Sequence, residues 1–432
     1  MGTTITKDYI HTEIGCIPKD WKVTTFNDLF TFLSTGSNSR SELTTEDGDV
    51  NYIHYGDIHK KWDLILDCDK AQIPFVSYEK IKNLPYVKNG DLIIADASED
   101  YEGIGTSVEV KNVDDRKIVS GLHTLLLRGD KNQIVDGYKA YLTSIFSVKK
   151  ALITIATGIS VYGISKNALK DVKLPLPVEL REQIAIVEIL SNINSLINSL
   201  DQLIEKKKNI KKGLVQNIFT GKIRLENFYE EWVERNFSEL CWFQEGPGLR
   251  NWQFRNEGIK VINVTNLENG LLNLENTDRH ISLEEFHSMY RHFEIDKGDI
   301  VVASSGNSYG KVAIVRNEDL PLMMNTSVIR FKPLKGLVYE FLFQFLKSRK
   351  FKTQIDLLIT GGAQPNFGPA HLKKIKILVP PSEKEQRAVG RLLSDMDSEI
   401  EVIEQKSEKY RQLKIGLIQQ LLMGRTRLKW KS

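Results

Sequence analysis

The chain contains itself twice. Residues 157–225 align without a gap onto residues 360–428, and about a third of the paired positions are identical. LPLPVELREQIAIVEILS pairs with ILVPPSEKEQRAVGRLLS, and KKGLVQNIFTGKIRL pairs with KIGLIQQLLMGRTRL. A period of about two hundred residues is far too long for a solenoid repeat. It is the length of a whole domain plus a long helix. The chain therefore reads as a covalent dimer with internal pseudo-twofold symmetry.

Upstream the repeat weakens. Trp21, Phe26 and Leu29 match Trp232, Phe237 and Leu240. YIHYGDI at 52–58 matches VINVTNL at 261–267, and NGDLIIADAS at 89–98 matches KGDIVVASSG at 297–306. The spacing between these anchors drifts by a few residues, so the insertions fall in loops. The pattern predicts two variable domains on one scaffold, each followed by a well-matched helix. It suggests two sites doing the same job on different targets.

Between 179 and 219 there is no proline, and Gly213 is the only glycine. Ile189, Ile193, Leu196, Leu200 and Leu203 are spaced 4-3-4-3, and Ile210 and Leu214 resume the pattern. That spacing is a heptad seam. The second copy gives Leu392, Met396, Ile403, Tyr410, Leu413 and Leu417 in matching register. Each helix is expected to run about 40 residues, or about 60 Å. Pro177, Pro380 and Pro381 precede the helices, where a missing amide is harmless, and Gly221 and Gly424 follow as stop signals. A helix this long with one apolar stripe needs a partner, and the nearest is its own copy, packed antiparallel as a coiled coil. A plain dimerisation coiled coil or a core hairpin would leave the duplicated domains unexplained. EKKKNIKK at 205–212 is the densest basic run. It reads first as a solvated face, and more sharply as a contact for a DNA backbone or an acidic partner.

The remaining sequence reads α+β. Short β-type runs (DLIIAD, HTLLLR, DIVVAS, KVAIV, SVIRF) are separated by Gly, Asn and Asp turns. Late in each domain come a helix (GYKAYLTSIFS, YEFLFQFLKS), a Thr-Gly loop, and a strand leading into the long helix (VKLPLP, IKILVP). The expected division is 1–176 and 225–379 for the variable domains, with 177–224 and 380–432 as helical spacers.

Several loops mix polar, basic and aromatic residues. In the first domain these are Arg40, then Tyr55, Lys60 and Lys61, then Ser160 and Tyr162. In the second they are Arg250, Asn251 and Gln253, then Ser305, Asn307, Tyr309 and Lys311, then Gln364 and Asn366. Reading base edges calls for such chemistry: Arg for guanine, Asn or Gln for adenine, Lys and small hydroxyls for phosphates. Turns are polar for other reasons too, so any one of these residues also reads as ordinary surface. Trp62 and Trp252 read equally as core.

Composition sets limits. A net charge of +3 neither demands nor excludes a nucleic-acid partner. Cys16, Cys68 and Cys241 are scattered and form no disulfide framework and no CxxC pair, which favours a reducing cytoplasm. No apolar run approaches the roughly 18 residues of a membrane span. Catalytic signatures are missing. SSGNSYGKVAIV has three residues between Gly306 and Gly310 rather than the four of a phosphate loop, and Val312 stands where Ser or Thr belongs. There is no HExxH and no Asp/Asn-Pro-Pro-Tyr/Phe; the only Pro-Pro is Pro380-Pro381. The eight histidines have no cysteine support, so neither a metal site nor a catalytic residue is assigned.

The repeat, its two GKIRL and GRTRL endings and the opening IGCIPKDWKVTTFNDLF resemble the specificity subunits of type I restriction-modification systems, over nearly the whole chain. The resemblance implies two target recognition domains alternating with two helical spacers that pack as an antiparallel coiled coil. Each domain would read one half of a bipartite double-stranded DNA target. Two adenine methyltransferase subunits would dock around the spacers, and motor-nuclease subunits would join them. S-adenosylmethionine, ATP and Mg would belong to those partners, leaving this chain non-catalytic and without a cofactor. Two other readings stand beside it: a coiled-coil scaffold with protein- or glycan-binding domains, and an enzyme with an unrecognised site.

Overall fold

Each domain is closed at its base by its own two ends. In the first, Trp21–Thr25 pairs antiparallel with Lys173–Pro177, placing Trp21 opposite Pro177. In the second, Val233–Asn236 pairs with Lys376–Val379 in the same way. The chain thus enters and leaves each domain side by side, at the foot of a long helix. The computed structural model describes residues 8–46, 48–81, 83–359 and 365–428.

The chain divides into two units, Met1–Ser199 with Lys406–Ser432, and Leu200–Gln405. The first unit is built on a five-stranded sheet ordered Phe30–Leu33, Thr124–Gly129, Leu92–Ala95, Ser107–Lys111, Leu64–Asp67. All its pairings are antiparallel except the last, which is parallel. The second unit repeats the first four strands in the same order: Cys241–Glu245, Val328–Pro333, Ile300–Ala303, Val312–Ile314. A smaller sheet accompanies each. Each smaller sheet contains one parallel pair, Val50–Ile53 with Ile118–Ser120 in one unit and Ile259–Ile262 with Leu322–Met324 in the other. The predicted strand runs are all present, and the α+β mixture is as expected.

The late helices differ from expectation. In the first domain, GYKAYLTSIFS forms a 3-10 turn at Lys139–Ser144, and the α-helix follows at Phe146–Ile155. Ile145 is extended between them, so the helix restarts instead of continuing. The second domain has two α-helices here, Tyr339–Lys347 and Arg349–Leu358. Ser348 separates them, and its hydroxyl accepts from the Phe351 amide at 3.2 Å as an N-cap.

The long helices are Leu180–Phe219 and Glu383–Leu422, 40 residues each. Each starts in one unit and finishes in the other. Ile218 and Phe219 end the first helix inside the second domain's core, against a cluster containing Phe237, Phe341 and Phe345. Ile418, Leu421 and Leu422 end the second helix inside the first domain's core with Phe26, Leu174 and Ile186, and Met423 just beyond joins them. Every unit is therefore built from its own domain and the far end of the other copy's helix.

The buried positions of the first helix correct the predicted seam. Ile186, Leu190, Ile193, Ile197, Leu200 and Ile218 are buried, and Ile204, Lys207, Lys211 and Leu214 are half-buried on the same 4-3 spacing. Of the predicted set, Ile193, Leu200 and Leu214 lie on this row. Ile189 lies beside it, and Leu196, Leu203 and Ile210 are 38%, 39% and 52% exposed. In the second helix Met396, Ile403, Tyr410 and Leu417 fall on the equivalent row, with Val389, Leu393, Ile400, Ser407 and Leu421; Leu392 and Leu413 lie off it. Among the described residues no helix is long and apolar enough to cross a membrane.

Candidate functional site

In both units the central strand runs into a loop that meets the Thr-Gly loop. In the first unit Leu92–Ala95 leads to Ala97–Ser98, which pairs antiparallel with Tyr162–Gly163. In the second, Ile300–Ala303 leads to Ser305, which bridges Asn366. The two scaffolds thus present a loop cluster at the same place with different side chains.

The first cluster gathers most of the predicted residues. Asp57 is buried between two of them: Arg40 Nη1 donates to its Oδ2 and Lys61 Nζ lies 2.8 Å from Oδ1. Burial pushes the Asp57 carboxyl up, but these two cations outweigh it and hold the acid below its usual range. The arrangement positions Arg40 while leaving its side chain half exposed. Tyr55 sits among three imidazoles, with ring centroids 4.7 Å from His54, 6.1 Å from His59 and 5.3 Å from His123. Burial, and then Arg40, lower the His54 pKa, which favours the neutral ring. Its Nδ1 accepts from the Gly56 amide at 3.1 Å. His59 Nε2 is 2.9 Å from the Ala97 carbonyl, tying this loop to the central-strand loop. Tyr162 stacks against Tyr101 at 4.2 Å. Lys60 and Ser160 are exposed.

His123, Asp96 and Tyr101 were not singled out from sequence. His123 Nδ1 is 3.2 Å from Asp96 Oδ1, and burial raises the Asp96 pKa, with His123 partly offsetting it. His123 holds a left-handed backbone with φ of 55°. A histidine in SGLHT carries no signature of that geometry, so only the fold brings it to Tyr55.

The second unit is arranged differently. Arg250 and Asn251 are exposed, and Trp252 is 72% exposed, so it is not a core residue. Trp62 packs partly buried against the first domain's second core, as one of its two readings required. Gln253 is buried. Its amide nitrogen donates to Glu285 and to the Tyr290 hydroxyl, and its oxygen accepts from the Arg250 amide at 2.8 Å. Its hydrogen-bonding groups brace the Arg250 turn. Ser305 is half-buried, Asn307 lies in the 3-10 turn Gly306–Ser308, and Lys311 and Asn366 are exposed. The Tyr309 hydroxyl donates to Asp356 at 2.9 Å, and Lys352 lies 5.4 Å over its ring. Burial, then Asp356, push the Tyr309 pKa up and keep it a neutral donor. Gln364 falls outside the described residues.

These clusters offer donors, acceptors and flat rings, the chemistry of recognition. Among the described residues no group of three or more His, Cys, Asp or Glu could hold a metal ion.

The family described as "Type I restriction modification DNA specificity domain" matches residues 18–211 and again 229–410. The chain is 28% identical over 320 residues to the type I restriction enzyme MjaVIII specificity subunit of Methanocaldococcus jannaschii, covering 71% of this chain and 74% of that one. It is 26% identical over 451 residues to the putative MjaX specificity subunit of the same organism, covering 98% and 97%. The S subunit structure from M. genitalium superposes with a TM-score of 0.53 at 17% identity, over 93% of this chain and 96% of that one. A chain from a structure concerned with complex assembly and conformational transition of the type I R-M system gives 0.60 at 13% identity, over 95% and 99%. At such identities the structural likeness speaks for the fold. The paired family matches coincide with the two halves of the internal repeat, and the chain belongs to the type I restriction-modification DNA specificity family, as a DNA-sequence-recognition subunit.

Proposed function

We propose that the two halves read the two parts of a bipartite DNA target, with residues 1–176 and 225–379 as the recognition domains and 177–224 and 380–432 as the spacers. The observation that carries this is the loop cluster found at the same place on both copies of the scaffold with different side chains. One scaffold with two loop sets is what two different half-sites require. In the first domain Arg40, Tyr55, Lys60, Lys61, Ser160 and Tyr162 face the DNA. In the second Arg250, Asn251, Ser305, Tyr309, Lys311 and Asn366 do so, with Gln253 bracing Arg250; Asn307 and Gln364 complete the candidate set. Phosphate contacts supply most of the affinity and make it salt-dependent.

The two long helices pack as an antiparallel coiled coil. Support comes from the second unit, where Lys207 pairs with Glu399 at 2.7 Å while Lys211, one turn later, pairs with the earlier Asp397. Partners that run backwards as the helix runs forwards are the mark of antiparallel packing. Two methyltransferase subunits dock on these spacers and motor-nuclease subunits join them. S-adenosylmethionine, ATP and Mg sit in those partners, in the cytoplasm, and this chain is non-catalytic. The relatives' names, all specificity subunits of restriction enzymes, support that assignment.

The test is a domain exchange. Replacing residues 1–176 by the corresponding domain of another specificity subunit, with the methyltransferase co-expressed, should change one half of the methylated genomic motif and leave the other half intact. A change in both halves would sink the modular reading.

A further inference from the structure

The basic run at 205–212 and the Ser305–Lys311 loop, far apart in sequence, face one another across a cleft. It occupies about 1660 Å³ inside the second unit. Its walls are the last half of the first long helix, the facing stretch 394–405 of the second, the 268–273 hairpin, the Tyr309–Lys311 turn and the start of the Arg349–Leu358 helix. Its floor is partly aromatic, but lysines cover the rings: Lys347 Nζ lies 5.0 Å over Phe343, and Lys352 Nζ lies 5.4 Å over Tyr309. Lys212, Lys311, Arg349 and Lys352 face solvent there beside the carboxylates of Glu268 and Glu401.

Seven Lys or Arg line the cleft against four Asp or Glu. Three of the cations are neutralised within it. Asp397 takes Lys211 and Lys347, and Glu404 takes Lys208. Lys212, Lys311, Arg349 and Lys352 are exposed, and among the described residues they pair with no carboxylate. Nothing in the folding of the unit requires four unpaired cations around one concavity. They repel one another and raise the cost of folding, which an anionic occupant would reverse.

The equivalent place in the first unit has lost this character. The repeat pairs Lys212 with Ile415, and the equivalent ten-residue helices Phe146–Ile155 and Arg349–Leu358 pair Arg349 with Phe146 and Lys352 with Lys149. Ile415 and Phe146 are exposed and apolar. Lys149 is turned inward, its Nζ donating to the carbonyls of Glu102 and Ile104. Lys414, which replaces Lys211, pairs with Asp63 at 3.3 Å.

We propose that this cleft seats the phosphate backbone of the bound duplex, on the second unit only, through Lys212, Arg349 and Lys352. The inference rests on the DNA-recognition reading. DNA is favoured over an acidic protein segment because Tyr309 and Lys311, on the loop assigned to base recognition, form one wall of the same cleft. A backbone leaving that loop has the helix lysines as its next neighbours. The specificity complex would then grip its two half-sites unequally, with an added sequence-independent hold on one side.

The test uses the full chain assembled with its methyltransferase subunits and a duplex bearing the genomic motif. Affinity is measured by fluorescence anisotropy between about 50 and 200 mM salt. The triple variant Lys212→Ala/Arg349→Ala/Lys352→Ala should reduce the slope of log affinity against log salt by about 0.9 for each lost phosphate contact, hence by about 2 to 3. Because all three side chains are exposed, the complex should still assemble. The charge-reversed single variant Lys212→Glu should move the slope in the same direction. An unchanged slope with tight, specific binding retained overturns the proposal while leaving the recognition reading intact. An unchanged slope with loss of co-purifying methyltransferase overturns it in favour of an acidic face on that partner. Absence of duplex binding in the wild-type complex would bring down the recognition reading, and this inference with it.

Discussion

Glu182 and Glu385 occupy equivalent positions in the two units, both buried, both at the foot of a long helix. Each accepts from the indole at the start of its domain, Trp21 at 3.0 Å and Trp232 at 2.8 Å. Each also binds the arginine that follows the other copy's helix. Arg427 reaches Glu182 at 2.7 Å, and Arg224 reaches Glu385 at 3.0 Å. The repeat thus keeps a three-residue lock that fixes the far helix end to the domain. It does not keep the redundancy. Arg427 is also forked by Asp20 at 2.7 and 2.8 Å. Glu231, the counterpart of Asp20, makes no such contact with Arg224 among the described residues.

The largest expected effect follows from that difference. Glu385→Ala strands an arginine and an indole N–H in a buried site, a loss of about 3–5 kcal/mol. Glu182→Ala should cost clearly less, because Arg427 keeps Asp20. Denaturant midpoints for the two variants measure the gap. Equal losses would mean that Asp20 contributes nothing, and Asp20→Ala in the Glu182→Ala background should then be silent.

The two rows of leucine and isoleucine on the first helix give the next contrast. Leu200 is 8% exposed and Leu203 is 39% exposed, although both fit the heptad spacing. Leu200→Ala should cost about 2–4 kcal/mol, as large-to-small changes in cores do. Leu203→Ala should stay within about 0.5 kcal/mol. Similar losses at both sites would show that the helix buries a wider face than the structure indicates.

That pair also shows what was legible in the sequence. Helix existence, length and repeat register were plain, since prolines, glycines and the copy itself marked them. The buried row was not. Ile193, Leu200 and Leu214 are flanked on one side by Ile189, Leu196, Leu203 and Ile210, and on the other by Leu190, Ile197 and Ile204. Either neighbour row completes a seam, and only packing chooses the second. Lys207 and Lys211 lie on the buried side and disguise it, because their charges are met by Glu399 and Asp397, residues nearly two hundred positions away. The loop clusters were legible as chemistry but not as geometry. Gln253 looked like a base reader and is an internal brace, while His123 looked like nothing and stands beside Tyr55.

A third contrast lies within the helix pair itself. Asp397 in the second unit corresponds to Asn194 in the first. Asn194 donates to the Tyr141 hydroxyl at 3.2 Å, whereas Asp397 holds Lys211 and Lys347. Burial raises the Asp397 pKa, but its two lysines outweigh this and bring it below the usual value. Burial also lowers the Lys211 pKa, so the pair helps the acid and strains the base, and its net worth is small. An acid with a depressed folded pKa adds stability above its unfolded pKa and loses it as pH falls through the folded value. Asp397→Asn should therefore cost about 1 kcal/mol at neutral pH, less at high salt because the site is partly exposed. The variant should also lose one acid-sensitive step below about pH 4. A pH series of denaturant midpoints reads both, and parallel curves for variant and wild type would remove the pair from the stability of the unit.

The smallest change in stability, and the sharpest test of asymmetry, comes from giving the first unit what the second has. Phe146 and Ile415 are 70% and 57% exposed, so lysine at either position disturbs no packing and should alter stability by no more than about 0.5 kcal/mol. If the unit-two cleft holds a phosphate backbone, Phe146→Lys/Ile415→Lys rebuilds part of that hold on the other half-site. The salt slope for duplex binding should then steepen by up to about 0.9 for each new contact. The methylated motif should stay the same, because phosphate contacts position a protein on DNA without reading sequence. A steeper slope with an altered motif would mean that these positions lie against bases. An unchanged slope would mean that the backbone passes the two units by different routes, so that the asymmetry lies in the path of the DNA as well as in the charge of the protein.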